Sequence, residues 1–255
     1  KAGIDVAITT NATALTEKLA EEALGSVTWL KASINAGTAE SYGKIHRTNP
    51  QHFDQALRNL AKAAEIRAKK GWKVTLGAQM VLLPENQNEA TNLAQRAKDA
   101  GLDYVVIKPY SQHHFSITTQ YNGIRYDSRE ELKAKLMEYN TDKFEVVFRT
   151  HTMEKLTDTE RHYDVCQATP YFWAYVMGDG DVYGCSAYLQ DDRFNYGNLY
   201  KNTFAEIWEG EKRMKSIEYV KKELNIDECR KNCRMDEINR YLWEVKNPSE
   251  HVNFI

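Results

Sequence analysis

Five short runs of apolar and β-branched residues within the first 150 positions constrain the fold of this 255-residue chain more than any other feature. The runs are IDVAITT, TWLKASI, KVTLGAQMVLL, DYVVIKPY and FEVVFRT, and segments of helical period separate them. Strands of this kind, alternating with helices, are typical of a parallel sheet built from βα units. We therefore predict an α/β domain over residues 1–155.

Three of the intervening segments carry the signals of helix ends. Over residues 50–70, apolar residues recur at helical spacing between Pro50, which suits a first turn, and Gly71, which suits a C-terminal cap. Shorter helices are predicted over 16–24 and 88–99, each with a glycine just after its end. These helices supply the crossovers that a parallel sheet requires.

From Cys166 onward the sequence changes character. The stretch FWAYVMGDGDVYGCSAY has the strand residues and the Asp179-Gly180 turn of a β-hairpin. Helices are predicted at about 203–224 and 234–246. Their expected buried residues are Phe204, Ile207, Trp208 and Met214 in the first helix, and Ile238, Tyr241, Leu242 and Val245 in the second. We therefore predict a second, small α+β domain over residues 156–255.

Composition and charge exclude several classes of partner. With 42% hydrophobic and 27% charged residues, the chain can bury a full core. Its formal net charge of -2 gives no broad attraction to nucleic acid or to anionic membranes. No apolar run approaches the roughly 18 residues that span a bilayer. We expect a cytoplasmic protein with neither nucleic acid nor a membrane as partner.

All four cysteines of the chain fall between positions 166 and 233. A hairpin between Cys166 and Cys185 would bring those two thiols together, while Cys229 and Cys233 can present a second pair on one face. In a reducing cytosol such a cluster indicates a metal site rather than disulfides. Four converging thiolates suit either zinc or a four-iron cluster, and the spacing does not decide between them.

The order of motifs in this region resembles a known family. Cys166, Gly180-x4-Cys185, the Gly-Asn-Leu segment at 197–199, FAEIW and the closing cysteine pair together look like the twitch extension of radical S-adenosylmethionine (radical SAM) enzymes, the short form of the SPASM region. Upstream, ITTNAT resembles the third barrel strand of those enzymes, and KASINAGTAESYGKIHR resembles their fourth strand and the following turn. The resemblance covers nearly the whole chain.

The resemblance implies a fold and a set of cofactors. The fold is a partial (β/α) TIM-like barrel of the radical SAM type, N-terminally truncated, followed by a small twitch/SPASM domain made of a β-hairpin plus helices. The auxiliary [4Fe-4S] cluster would be held by Cys166, Cys185, Cys229 and Cys233. S-adenosyl-L-methionine and a second [4Fe-4S] cluster belong to the intact parent, because the C-x3-C-x2-C loop that carries that cluster is not among these residues.

One near-match to that loop stands at the end of the cysteine region. Cys229, Cys233 and Asp236 give C-x3-C-x2-D, with an aspartate in place of the third cysteine. Because Cys166 and Cys185 complete a set of four, we interpret the pair as half of the auxiliary site and not as a damaged catalytic loop. No catalytic residue is assigned within this chain, and the fragment alone is expected to be inactive.

The same resemblance assigns polar residues at the ends of the predicted strands to cofactor binding. They are Asn11, Ser33, Asn35, Arg47, Gln79 and Lys108. Ser33 and Asn35 would contact the methionine or ribose part of S-adenosylmethionine, and Arg47 its carboxylate. Gln79 interrupts an apolar run, where an unpaired amide is costly, so either a ligand or a core hydrogen bond explains it. Strand-end hydrogen bonds and ion pairs are the alternatives for the others.

Histidines and aromatic residues near these motifs receive simpler interpretations. His113 and His114 are predicted to lie in a solvated loop. His151 and His162 flank the approach to Cys166, but four cysteines suffice as ligands. The residues expected to pack the hairpin are Tyr183, Tyr188, Trp173 and Phe172.

Two functions of different classes follow. The first is a radical SAM oxidoreductase or maturase-type enzyme that uses its auxiliary cluster for electron transfer, with an electron donor such as flavodoxin or ferredoxin. Its substrate, which is a peptide, a carbohydrate or another small molecule, is not specified by the sequence. The second is a non-catalytic binding module on a partial α/β barrel, with a structural zinc held by the four cysteines.

Overall fold

The structure of the chain is a computed structural model that describes residues 3–113, 115–127, 129–157, 161–230 and 232–252. The chain divides into two compact units, one formed by Lys1–Tyr110 with Gly123–Thr157, the other by Ser111–Asn122 with Asp158–Ile255. The division after Thr157 lies close to the predicted boundary at residue 155, and the segment Ser111–Asn122 joins the second unit. In the described ranges, no helix has the length and apolar character needed to cross a membrane.

The first unit is built on a five-stranded parallel sheet. Its strands are β1 (Ala7–Thr10), β2 (Trp29–Ser33), β3 (Thr75–Leu82), β4 (Tyr104–Pro109) and β5 (Glu145–Phe148). They lie in chain order, and every neighbouring pair is parallel. Each strand falls within one of the five predicted runs, so the α/β prediction is confirmed.

Helices connect and follow these strands. They are α1 (Glu17–Ala23), α2 (Ala39–His46), α3 (Gln51–Lys70), α4 (Ala90–Asp99), α5 (Glu130–Met137) and α6 (Thr150–Thr157). The three helices predicted from the sequence are confirmed as α1, α3 and α4. Pro50 stands at the N-cap of α3, and Gly71 ends it with a φ of +65°, a conformation that costs glycine little.

The two faces of the sheet carry different side chains. On one face, large apolar side chains pack against the helices; they include Leu30, Leu76, Met80 and Ile107. Because side chains alternate along a strand, Ser33 and its β3 partner Gln79 lie on the opposite face. Lys108 of β4 pairs with Val81, two residues beyond Gln79, and so shares that face near the carboxyl ends of the strands.

The second unit contains a three-stranded antiparallel sheet and several helices. Its elements are α7 (Thr169–Phe172), β6 (Tyr175–Val176), β7 (Asp181–Tyr183), β8 (Asn195–Asn198), α8 (Phe204–Glu209), α9 (Glu211–Lys222) and α10 (Asp236–Lys246). β6 and β7 form the predicted hairpin, and Gly180 occupies its turn with a φ of +83°. β8 was not predicted, since its sequence NYGN is mostly polar.

The single helix predicted over 203–224 is interrupted. α8 ends and α9 begins at Gly210, whose extended backbone (φ -73°, ψ 160°) leaves the helical path. Ile207 is buried as expected, but the expected burial of Phe204 and Met214 is wrong, because both are exposed. The break changes which face of α9 packs inward. A hydrophobic periodicity counted continuously through Gly210 therefore assigns the wrong residues to the buried face.

Candidate metal centre

The structure brings all four cysteines to one cavity of the second unit. Cys166, Cys185, Cys229 and Cys233 line a cavity of about 30 Å³, and each is partly buried. Cys185 follows β7, Cys229 ends a 3₁₀ turn at Ile226–Glu228, and Cys233 precedes α10. Short segments from separate parts of the sequence thus hold soft sulfur donors around one point.

The hairpin that carries Cys185 depends on a close approach at Gly184. A Cβ atom at Gly184 would lie 2.0 Å from the hydroxyl oxygen of Tyr196, so the position requires glycine. The Gly184 N–H donates to the carbonyl of Phe194 at 2.9 Å and extends the pairing of β7 with β8. A bulge at Val182/Tyr183 changes the direction of β7 just before the cysteine.

Backbone N–H groups point at two of the sulfur atoms. The Ala187 nitrogen lies 3.4 Å from Cys185 Sγ, and the Met235 nitrogen lies 3.4 Å from Cys233 Sγ. In both cases the donor comes two residues after the cysteine, so the turn that positions the thiol also supplies its hydrogen bond. Donors directed at sulfur favour the thiolate, which is the form that binds metal.

Side chains supply the donors for the other two sulfur atoms. Asn239 Nδ2 donates to Cys166 Sγ at 3.4 Å, and the Tyr188 hydroxyl lies 3.6 Å from Cys229 Sγ. Asn239 Oδ1 accepts two backbone N–H groups from the segment after Cys166, at 2.7 and 2.9 Å, and these bonds fix the orientation of the amide. All four sulfur atoms therefore have a hydrogen-bond partner. No sequence pattern indicated Tyr188 or Asn239 as neighbours of the cysteines.

Burial of the thiols disfavours their charged, thiolate form. It raises the pKa of Cys185 to about 12. Burial also raises the pKa of Cys229 and of Cys233. The positive charge of Arg161 acts in the opposite direction and lowers both pKa values. Without a cation the cavity favours protonated thiols. A bound cationic metal centre displaces those protons and stabilises four thiolates together, so the donor set fits such a group.

Two kinds of metal site use four thiolates. A tetrahedral zinc ion with Zn–S bonds near 2.3 Å would draw the four sulfur atoms to about 3.8 Å from one another. Within the described ranges, no three His, Cys, Asp or Glu side chains are grouped so as to hold one metal ion. The four thiols nevertheless surround one cavity, which suits a [4Fe-4S] cluster because each thiolate then binds a different iron.

Asp236, the residue in place of a third cysteine, is not among the residues that line the cavity. It is 2% exposed and accepts hydrogen bonds from the Tyr163 hydroxyl at 3.0 Å and from Arg240 Nε at 2.9 Å. Burial and the Asp236 charge both raise the pKa of Tyr163, so its hydroxyl stays a donor. The Asp236 carboxylate thus has a structural role at the start of α10.

Of the four residues predicted to be buried in α10, Ile238 and Leu242 are partly buried, and the prediction is wrong for the other two. Tyr241 and Val245 are exposed, whereas Asp236 and Asn239 are buried. The buried side of α10 is thus set by the polar groups that contact Tyr163 and the Cys166 segment, and apolar periodicity does not reveal such a side.

The loop that follows β4 contacts two of the cysteine-bearing segments. Arg230, next to Cys229, donates to the Ser111 hydroxyl at 3.0 Å. His113 Nε2 lies 3.0 Å from the carbonyl oxygen of Ser186, while its Nδ1 accepts a backbone N–H, so Nε2 carries the proton. The prediction of a solvated loop is therefore wrong for His113, and His114 lies outside the described residues.

Other candidates have roles apart from the cavity. His162 is exposed, and His151 lies in the first unit, 3.9 Å from Glu154. Tyr188 stacks on Phe194 with ring centroids 4.5 Å apart, in agreement with its predicted packing role. Phe172 is exposed, so its predicted burial is wrong.

Three of the predicted cofactor-binding residues, Ser33, Gln79 and Lys108, share the face of the five-stranded sheet described above. Gln79 is 6% exposed, and its Oε1 has no hydrogen-bond partner among the described residues. A buried acceptor without a partner is costly, so a ligand that donates to it would recover free energy.

The other three predicted residues have local roles. Asn11 Oδ1 accepts the Thr13 N–H at 3.1 Å, and Asn35 Oδ1 accepts the Val81 N–H at 2.9 Å. Arg47 ends α2 in the left-handed region, with a φ of +50°. The hydrogen bonds of Asn11 and Asn35 are of the strand-end kind, and the assignment of all three residues to cofactor binding stays a prediction.

A family comparison identifies the cysteine region. Residues 166–234, which include all four cysteines, match the model of the SPASM iron–sulfur cluster-binding domain. These residues form a SPASM domain. No curated protein sequence matches the chain.

Solved structures share the fold. Streptococcus suis SuiB superposes with a TM-score of 0.56 at 16% identity over 82% of this chain and 49% of that one. The protein anSMEcpe with bound AdoMet gives 0.54 at 18% identity over 93% and 65%. Its complex with the Kp18Cys peptide gives 0.55 at 16% identity over 99% and 76%. The chain spans about half the length of SuiB. The fold of this chain is similar to the folds of these proteins, and the SPASM match agrees with the resemblance found in the sequence.

Proposed function

We propose that this chain belongs to a radical SAM oxidoreductase or maturase-type enzyme, in which the SPASM domain holds an auxiliary [4Fe-4S] cluster. The observation that carries the proposal is the convergence of Cys166, Cys185, Cys229 and Cys233 on one cavity inside the region that matches the SPASM model. Four soft sulfur donors are the ligand set that iron–sulfur clusters use. The same four thiols would also serve the structural zinc of the binding module that the sequence left open.

The first unit supports a partial barrel in this enzyme. Its five parallel strands lie in chain order with no reversal, unlike the strand order of a doubly wound sheet. The face that carries Ser33, Gln79 and Lys108 would then be the barrel interior. We propose that these residues, with Asn11, Asn35 and Arg47 at the rim, bind S-adenosyl-L-methionine, and that the unpaired Gln79 Oε1 accepts a hydrogen bond from it.

When bound, S-adenosylmethionine and its own [4Fe-4S] cluster would supply hydrogen-abstraction chemistry, because one electron from an external donor would cleave the sulfonium into methionine and a 5′-deoxyadenosyl radical. The four cysteines would occupy every ligand position of the auxiliary cluster and leave no iron open to the substrate. We therefore assign that cluster to electron transfer, with a flavodoxin or ferredoxin as the external partner. Residues 1–255 contain no C-x3-C-x2-C, so the activity is proposed for the whole protein, and these residues alone are expected to be inactive.

A peptide is the proposed substrate class. SuiB has been solved with its precursor peptide SuiA, and anSMEcpe with the Kp18Cys peptide. Both proteins share the fold of this chain, and this supports a peptide over a carbohydrate or another small molecule.

Anaerobic reconstitution with iron and sulfide tests the proposal. We expect a brown protein with broad absorbance at roughly 400 nm and about four irons per chain, and a loss of that iron in the Cys185→Ser variant. A colourless protein that instead holds one tightly bound zinc would overturn the proposal in favour of the binding module.

A further inference from the structure

The hydrogen bond to Cys229 differs in kind from those to the other cysteines. Cys185 and Cys233 receive backbone N–H groups. Cys166 accepts an N–H from the side-chain amide of Asn239, and the oxygen of that amide accepts the backbone N–H of Gln167. Among the described residues, Cys229 is the one cysteine with a hydroxyl as its hydrogen-bond partner, that of Tyr188 at 3.6 Å.

The direction of this bond follows from the chemistry of the ligand. A cysteine bound to iron has lost its proton, so its sulfur can only accept. The hydroxyl of Tyr188 must then donate to Cys229. Burial raises the pKa of Tyr188, which is consistent with a hydroxyl that keeps its proton.

The ring of Tyr188 is held in place independently of its hydroxyl. It lines the cavity and stacks on Phe194, with the rings 9° from parallel. Phe194 is itself buried and makes an edge-to-face contact with Tyr219, with ring centroids 5.9 Å apart. Removal of the hydroxyl alone would therefore leave the aromatic packing of this wall unchanged.

We propose that Tyr188 is a positioning residue that raises the reduction potential of the auxiliary cluster through its hydrogen bond to Cys229. The inference rests on the proposed function and goes beyond it, because it assigns a tuning role to one side chain. Reduction adds negative charge to the cluster and its thiolates. A donor directed at sulfur stabilises that charge more strongly in the reduced state than in the oxidised state.

Tyr188→Phe is the deciding variant, and Tyr219→Phe is its matched control. Each change removes one hydroxyl from a ring that contacts Phe194. The Tyr219 hydroxyl accepts from Arg193 at 2.6 Å, not from a residue at the cysteines. After anaerobic reconstitution of the full chain, we measure iron content and the midpoint potential by redox titration.

The proposal expects Tyr188→Phe to bind as much iron as the parent chain, with a midpoint potential shifted to more negative values, while Tyr219→Phe keeps the parent potential. Resonance Raman spectra in deuterated water provide a second readout. The iron–cysteine stretching bands should shift on deuteration in the parent chain, and less in Tyr188→Phe.

Equal potentials in Tyr188→Phe and the parent, at equal iron content, would overturn the proposal. Loss of the cluster from a folded Tyr188→Phe would also overturn it, because the hydroxyl would then be needed to hold the cluster. A parent chain that takes up no iron–sulfur cluster would instead overturn the proposed function, and this inference with it.

Discussion

The two units of the molecule are stabilised in different ways. The first has one large hydrophobic core to which strands and helices from residue 12 to residue 153 contribute. In the described part of the second unit, buried hydrophobic residues form two small clusters of three each, and Cys166 and Cys185 pack against one of them. Small cores need additional links, such as a metal. We therefore expect a bound metal centre to contribute to the folding of the second unit and not to that of the first.

Loss of the metal centre should produce the largest difference between the two units. After cluster removal by chelation, we expect amide protection to fall throughout the second unit, from α7 to α10, and to stay unchanged in β2, β3 and β4. Hydrogen exchange of the reconstituted and stripped protein measures both units in one experiment. The Cys166→Ser/Cys185→Ser double variant, without chelator, should give the same pattern. Equal protection of the second unit before and after removal would contradict this contrast.

A core substitution in the first unit should produce the reverse pattern. Leu93 of α4 is 0% exposed. Leu93→Ala should destabilise the first unit by about 2–5 kcal/mol, because it leaves a cavity against the sheet. Iron content should not change. Leu19→Ala, at an exposed position of α1, serves as control and should cost less than about 0.5 kcal/mol.

Urea unfolding followed by circular dichroism and by cluster absorbance separates the two units. If Leu93→Ala released iron in proportion to its loss of stability, the units would not be stabilised independently.

The same contrast explains what sequence patterns can predict in this protein. The parallel strands and the α3 helix follow from apolar periodicity and from Pro50 and Gly71, which are local signals. The convergence of the cysteines was predicted from the hairpin turn at Gly180 and from the spacing of the four cysteines. Both features can be identified in the sequence.

Other features of the second unit depend on contacts between distant residues, which no local pattern contains. Asn239 reaches Cys166 across 73 positions, and Tyr188 reaches Cys229 across 41. The break at Gly210 and the polar inward side of α10 are absent from hydrophobic periodicity as well. Where polar contacts determine which side of a helix is buried, apolar spacing assigns the wrong side.

Asp236→Cys tests whether a third cysteine would create a catalytic-type trio at α10. We expect no gain in iron, because Asp236 does not line the cavity. We expect a loss of about 1–3 kcal/mol in the second unit, because the variant removes the acceptor for Tyr163 and Arg240. Glu244→Cys, at an exposed position of the same helix, is the control and should change neither quantity. Extra iron in Asp236→Cys would show that this side chain reaches the metal.

The smallest change in stability is expected at Gln79. Whether stability rises or falls decides between a ligand-binding role and a core hydrogen-bonding role for its amide. If the Gln79 amide is retained for a ligand, its unpaired Oε1 weakens the fold, and Gln79→Met should raise the stability of the first unit by about 1 kcal/mol. In the whole protein the same variant should bind S-adenosylmethionine more weakly.

Leu82→Met, also buried in β3 but on the helix-packed face, is the matched control and should cost less than about 1.5 kcal/mol. Urea midpoints measure the stabilities. A Gln79→Met variant that is less stable than the parent would show that the amide is a core hydrogen-bonding group, and the ligand-binding face of the sheet would then lose its main support.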